Sequence, residues 1–169
     1  MPKTYPKRLE DFGKKYVPLL RTYLQREETR DLDKVIRDEL VKKIQGLINQ
    51  INGAKQTLVD NKVLAGLDLL DQSTRKLDKI RDSIRFAARG YSGVFDLEVM
   101  GDDQLKRLLD FDQSLFDQIA ILEAGLSEVS GKSTAELKAS LSVFDQKIKE
   151  FETRLDERDA YARERQAGK

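Results

Sequence analysis

The chain has 169 residues, 39% of them apolar and 36% charged, and carries a net charge of +1. That length supports one domain with its own core, and the apolar residues are too many and too regularly spaced for a disordered chain. Cysteine, histidine and tryptophan are all absent, which excludes disulfides, thiolate chemistry, histidine-ligated zinc or haem, and any Ser-His or Cys-His dyad.

The first segment, residues 6–28, places Leu9, Phe12, Tyr16, Leu19, Leu20 and Tyr23 on one helical side. Pro6 suits a first helical turn, whereas Pro18 predicts a kink or a restart near Val17. Apolar runs here are short: "VPLL" falls below the roughly 7–15 apolar residues of a signal core and the about 20 of a membrane span. A cytoplasmic chain is the expectation. Basic residues and tyrosines on this amphipathic helix also fit a membrane surface or a partner, but a docking helix packed on the side or end of a bundle is preferred.

From Asp31 a second stripe follows: Leu32, Ile36, Leu40, Ile44, Leu47 and Ile51 recur every third or fourth residue. Asn52-Gly53 predicts its stop, since both residues tolerate the left-handed backbone that closes helices. A continuation to Asp60-Asn61, with Leu58 in register, is the alternative. The third segment carries Val63, Leu67, Leu70, Thr74, Leu77, Ile80, Ile84 and Ala87 on one face and ends at Gly90. "TRKLDKIRDSI" at 74–84 echoes "TRDLDKVIRDEL" at 29–40 after dropping one residue, which in a Leu-, Asp-, Lys- and Arg-rich chain reads as chance or as two similar bundle positions, not as a repeat protein.

Residues 90–101 break the periodicity. Arg85 and Arg89 lie one turn apart before this loop, with Phe86, Tyr91 and Phe95 close by in sequence. Arginine with aromatics stacks on bases or anchors interfaces, so Arg85, Arg89, Tyr91 and Phe95 are the candidate binding residues. The same loop also suits a lid over the bundle's end.

The fourth segment opens on Asp102 and Asp103, where a helix N-terminus favours negative charge, and stacks Leu105, Leu108, Leu109, Phe116, Ile119 and Leu122. The fifth begins with a capping box, "STAE" at 133–136. Leu137, Leu141, Phe144, Ile148, Phe151 and Leu155 then form a coiled-coil-like seam. Asp145–Lys149, Glu150–Arg154 and Asp159–Arg163 are spaced for surface ion pairs, each worth about 0.2–0.5 kcal/mol. Beyond Leu155 the seam is expected to fade, with 164–169 as a frayed tail.

Charge is uneven. Residues 62–90 hold seven basic and four acidic side chains, whereas residues 91–131 hold two basic and nine acidic. Sequential helices of a bundle are usually neighbours, so the basic third helix is expected beside the acidic fourth, neutralising it. The alternative is a basic face and an acidic face that select a partner.

Without histidine or cysteine, enzymatic options reduce to carboxylate sites and Ser, Thr, Tyr or Lys nucleophiles. Glu28–Asp31, Asp68–Asp71 and Asp78–Asp82 are acidic pairs of the kind that hold Mg²⁺ in all-helical nucleotide hydrolases, but such sites need acids pointing inward from two helices. Most acids here lie off the apolar stripes. Gly131-Lys132-Ser133 lacks the upstream glycine of a phosphate-binding loop. Neither catalytic residues nor a cofactor or metal is therefore assigned.

"RDLDKVIRDELVKKIQGLINQIN" followed by "LDLLDQSTRKLDKIRDSIRFAAR", within residues 30–89, resembles the bacterial four-helix-bundle proteins related to Avd, the accessory subunit of diversity-generating retroelements. Leu32, Ile36, Asn52, Leu77, Asp78, Arg81, Arg85 and Ala87 carry the resemblance. It implies a helical bundle, oligomerisation and an accessory role to a reverse transcriptase through nucleic-acid binding.

The sequence thus predicts an all-α single domain: an up-down antiparallel four-helix bundle over about 31–52, 55–89, 102–128 and 133–163, with a kinked N-terminal docking helix within 1–30. The expected role is a non-catalytic interaction or assembly module that binds a protein partner or itself as a homo-oligomer. Nucleic acid is the lesser alternative, because phosphate binding needs a net basic footprint. A Mg²⁺-dependent helical nucleotide hydrolase is the third reading.

Overall fold

The computed structural model of the chain describes residues 7–18, 32–87, 101–129 and 132–167. These residues form five helices and no strand: α1 (Lys7–Tyr16), α2 (Leu32–Asp60), α3 (Leu67–Ala87), α4 (Asp102–Ser127) and α5 (Thr134–Ala167). Among them no helix is long and apolar enough to cross a membrane.

Each stripe becomes a buried face. The six predicted seam residues of α2 and the six of α5 are all buried, as are Leu70, Leu77, Ile80 and Ile84 of α3 and all six predicted stripe residues of α4. Burying one such side chain contributes about 1.5–3 kcal/mol. A surface ion pair contributes about 0.2–0.5 kcal/mol, so the stripes hold the helices in place.

Helix ends follow local chemistry. In α1 the Val17 amide donates to the Gly13 carbonyl at 3.2 Å. Pro18 has no N–H to continue the series, and α1 ends at Tyr16; the expected kink or restart beyond it lies outside the described residues. Leu9, Phe12 and Val17 are buried; Leu19, Leu20 and Tyr23 lie outside the described residues.

The preferred stop at Gly53 is wrong. Helix α2 continues through Gly53 to Asp60 because Leu58 keeps the stripe and is buried. A helical glycine costs about 1 kcal/mol against alanine, less than one buried leucine contributes. The real stop is a Schellman-type turn. Val63 N–H donates to the Leu58 carbonyl at 2.8 Å, Lys62 N–H to that of Val59 at 2.9 Å, and Lys62 takes φ 56°. Gly66 (φ 86°) then delivers the chain into α3, so α3 begins at Leu67 rather than near residue 55. A Cβ at Gly66 would sit 2.7 Å from Cδ1 of Leu141 on α5.

The capping box forms as expected. Ser133 N–H and Oγ–H both donate to Glu136 Oε2, at 2.9 and 2.5 Å, and the Glu136 amide returns to Ser133 Oγ at 3.4 Å. Helix α5 runs on to Ala167, and its seam outlasts Leu155: Arg158 and Ala162 are both buried.

Helix α2 packs on α3 and α4, α5 packs on α3 and α4, and α1 packs on α4. Among the described residues α3 and α4 share no packing. Lys76 pairs with Asp145, and Lys79 with Glu152 at 3.2 Å, so the basic side chains of α3 meet acids of α5. The expected neutralisation of α4 by α3 is therefore overturned. Instead α1 brings Arg8 to Asp110 and donates the Tyr16 hydroxyl to Asp117 Oδ1 at 2.9 Å. Phe12 and Tyr16 pack on the Phe116 ring, with centroids 6.0 and 5.5 Å away.

Two glycines give opposite expectations. A Cβ at exposed Gly53 meets nothing within 4 Å, so Gly53→Ala raises stability by about 0.5–1 kcal/mol. Gly66→Ala loses about 1–2 kcal/mol to the left-handed backbone alone, with the Leu141 contact adding to it. Urea unfolding checks both; a loss at Gly53 would restore the break expected there.

Hydrogen bonds from the Ser133 side chain and amide hold Glu136 below the usual glutamate range. A depressed native value means stability present above the unfolded glutamate value, about 4.3, and lost as pH falls through the native one. The deficit of Ser133→Ala is expected to be larger at neutral pH than in acid, read from paired urea melts. An equal deficit at both pH values contradicts the carboxylate's part in the cap.

Candidate functional site

Arg85 lies exposed on the last turn of α3, and no ion pair reaches it among the described residues. Phe86 beside it is 68% exposed. Arg89, Tyr91 and Phe95 lie outside the described residues, so the candidate loop is represented by its Arg85 end alone. Arg81, which shares that helix, is committed elsewhere: it contacts Asp78 at 2.7 Å, Asp82 at 2.9 Å and Gln45 Oε1 at 2.7 Å.

Of the acidic pairs of the sequence, Asp71, Asp78 and Asp82 are occupied by bases. Asp71 accepts from Lys55 Nζ at 2.8 Å, which holds its carboxyl below the usual range. Asp78 and Asp82 both serve Arg81. Glu28 and Asp31 are outside the described residues. Among the described residues no group of three or more acids is placed to hold a metal ion. On α5, burial pushes Asp145 up, but hydrogen bonds from Lys76 and Lys149 outweigh it and its carboxyl sits below the usual range. The predicted Glu150–Arg154 pair is replaced: Lys147 takes Glu150 and Arg154 takes Glu157.

Polar chemistry converges instead where the sequence shows only register. Asp33 and Arg37 on α2, Asp112 on α4, and Arg158 on α5 are buried, at 4%, 2%, 0% and 1% exposure. Arg158 Nε donates to Asp112 Oδ1 at 3.0 Å, and its Nη2 reaches Asp33 Oδ1 and, at 3.5 Å, Asp112 Oδ2. The other oxygen of Asp33 accepts from Arg37 Nε at 2.9 Å. Arg37 Nη2 donates to Asp159 Oδ1 at 2.7 Å, so Asp159 faces inward rather than pairing with Arg163. Arg163 Nε donates to the Asp159 backbone carbonyl, at 3.3 Å.

Each of these positions continues an apolar stripe. Asp112 falls midway between Leu108 and Phe116, Arg158 three residues after Leu155 and four before Ala162, and Asp33 three before Ile36. That periodicity is the signal a reading confined to apolar letters passes over. Asp33 and Asp112 are exceptions to the expectation that most acids lie off the apolar stripes.

Electrostatics separates the members. Burial pushes the Arg158 guanidinium towards neutrality, but Asp112 and Asp33 overcome it and hold Arg158 charged, above its usual value. Among the described residues Asp112 has only the one guanidinium as a hydrogen-bond partner, and it feels the charge of Asp33. Burial pushes it up, Arg158 offsets this in part, and its carboxyl sits above the usual aspartate range. Arg158 Nη1 is buried without a hydrogen bond, with Asp159 Oδ1 at 3.7 Å.

Helices α4 and α5 also share an aromatic pair. Phe111 and Tyr161 lie 5.8 Å apart, with Arg154 over the first ring and Arg107 over the second. A groove of about 470 Å³ between α1 and α4, and another of about 240 Å³ between α4 and α5, are lined by other residues. The clasp opens into neither.

Comparison with known proteins finds no matching family model, no matching curated protein and no matching solved structure.

Removing one member of a buried ion cluster leaves the others without counter-charge. Arg158→Met is expected to cost about 3–5 kcal/mol, whereas the apolar triple Asp33→Leu, Asp112→Leu, Arg158→Met recovers most of that loss. Urea unfolding followed by far-UV circular dichroism reads both. A single variant as stable as the parent shows that the clasp is not closed in solution.

Proposed function

We propose that the chain is a non-catalytic helical interaction or assembly module that binds a protein partner or a second copy of itself. The observation that carries this reading is the clasp. Among the described residues the fully buried carboxylates are Asp33 and Asp112, and both are engaged by guanidinium donors, as is the partly buried Asp159. A hydrolase needs inward acids with free lone pairs beside a space for substrate. Here the inward acids serve to join helices.

The four long helices read as an up-down bundle whose order around the axis is α2, α3, α5, α4. In that order the stretch after α3 joins helices that are not neighbours, which gives a long connection a structural use. Apolar side chains left on the outside, Leu64 at 72% exposure and Phe86 at 68%, support an interface role for the exterior. Freedom from cysteine suits a reducing compartment such as the cytoplasm.

Nucleic-acid binding is the second reading, favoured by exposed Arg85 standing beside exposed Phe86. Its weight is limited by the pairing of Arg81 with Asp78 and Asp82 on the same helix. That pairing leaves little net positive charge there for phosphates to meet.

Three measurements on the intact chain decide among these readings. The assembly reading expects mass to rise with concentration in sedimentation, and Leu64→Asp or Phe86→Asp to weaken that rise. Strong Mg²⁺-dependent nucleotide hydrolysis overturns it. Gel-shift binding that falls steeply with salt and is lost in Arg85→Glu transfers the conclusion to nucleic acid.

A further inference from the structure

The clasp has an imbalance that its hydrogen bonds alone do not require. Among the described residues three carboxylates, Asp33, Asp112 and Asp159, meet two guanidiniums, Arg37 and Arg158. Four of the five side chains are almost fully enclosed, and Asp159 is 17% exposed. In such surroundings an unbalanced charge is costly, and a bound proton is the smallest species that removes it.

We propose that the α2–α4–α5 clasp is a one-proton binding site, in which Asp112 takes up a single proton as pH falls and the neutralised cluster then holds this end of the bundle more firmly. Asp112 is the acceptor because it is the most buried of the three and the least supplied with donors. Asp33 receives from both arginines, one on each oxygen. Asp159 receives from Arg37, lies 3.7 Å from Arg158 and is partly reached by water. Among the described residues Asp112 contacts Arg158 alone.

The charged and titratable groups around Asp112 are few. Helix α2 contributes Asp33 and Arg37, and α5 contributes Arg158 and Asp159. Farther out on the α4–α5 side are Arg107, Arg154 and Tyr161, which belong to the ring stack. Asp110 of α4 points to the other side, towards Arg8 of α1.

The direction of the linkage follows from Asp112 lying above the usual aspartate range. A native group that binds its proton more tightly than the unfolded chain contributes stability that is complete below the unfolded value, about 3.9. That contribution is lost as pH rises through the native one. This opposes the behaviour of Glu136 and Asp145, whose carboxyls are held below the usual range. It is separable from theirs by its residue.

Carbon-detected NMR titration of the aspartate carboxyls in the full chain tests the proposal. Asp112 is expected to inflect above the ordinary aspartate value. Asp159→Asn, which removes a neighbouring negative charge, lowers that inflection, and Arg37→Gln raises it. Asp112→Asn keeps an oxygen for Arg158 and leaves the cluster balanced. It therefore stays close to the parent in stability, unlike Arg158→Met, and abolishes the gain the parent shows on acidification. An Asp112 inflection at or below the ordinary aspartate value overturns the proposal, and the parent chain alone supplies that measurement if the variants do not fold. An unchanged acid gain in Asp112→Asn overturns it equally.

Discussion

A guanidinium taken out of water has to find its counter-charges inside the protein, and Arg158 carries that requirement into the middle of a helix seam. Leucines and isoleucines on facing helices tolerate a slip of one turn, since one apolar contact resembles the next. A fork of donors aimed at Asp112 and Asp33 does not. With Arg158 on α5, Asp112 on α4, and Asp33 on α2 joined in one cluster, three helices are fixed in height and rotation at once. The apolar stripes supply most of the stabilisation, and the clasp selects which of their near-equivalent packings is adopted.

The same need to neutralise charge explains where α1 goes. Helix α4 is the acidic element of the bundle, yet the basic α3 shares no packing with it among the described residues. Asp112 is met from α5, and Asp110 and Asp117 are met from α1. The ten residues of α1 make a helix that is marginal on its own. Here burial of Leu9 and Phe12, ring contacts with Phe116 and those polar contacts together offset the cost of ordering it. Neutralisation runs between elements far apart in sequence, so net charges counted along the chain mislead about the surface.

Much of the fold is legible because apolar periodicity reports directly on burial. Every predicted seam residue of α2 and α5 is buried, and the capping box forms where its letters stand. The stop expected at Gly53 fails because local propensity takes no account of the next apolar position, Leu58. The clasp is legible in register but not in identity. The echo between 29–40 and 74–84 shows why. Asp33 and Arg37 occupy positions equivalent to Asp78 and Arg81, yet one pair is sealed in the core and the other lies towards the surface. One extra residue in the first copy spaces its pair by four rather than three, and α5 presents a third charge only to the first. Similar strings acquire different roles from their partners, which neither string contains. Of the candidate binding residues, Arg85 alone falls within the described residues, where its exposure is consistent with a surface role but does not bring the four together.

Buried charge in an all-helical protein invites comparison with catalytic carboxylate centres, and the distinction rests on what the oxygens face. A catalytic acid keeps an oxygen directed at a space that substrate, water or metal can enter. Asp33 spends both oxygens on arginines, and Asp112 directs both at Arg158. The only species small enough to join them without opening the bundle is a proton. Proton uptake needs no such opening. Under the proposal, such a site changes how firmly three helices are held while leaving the outer faces, where Phe86 and Leu64 stand, unaltered.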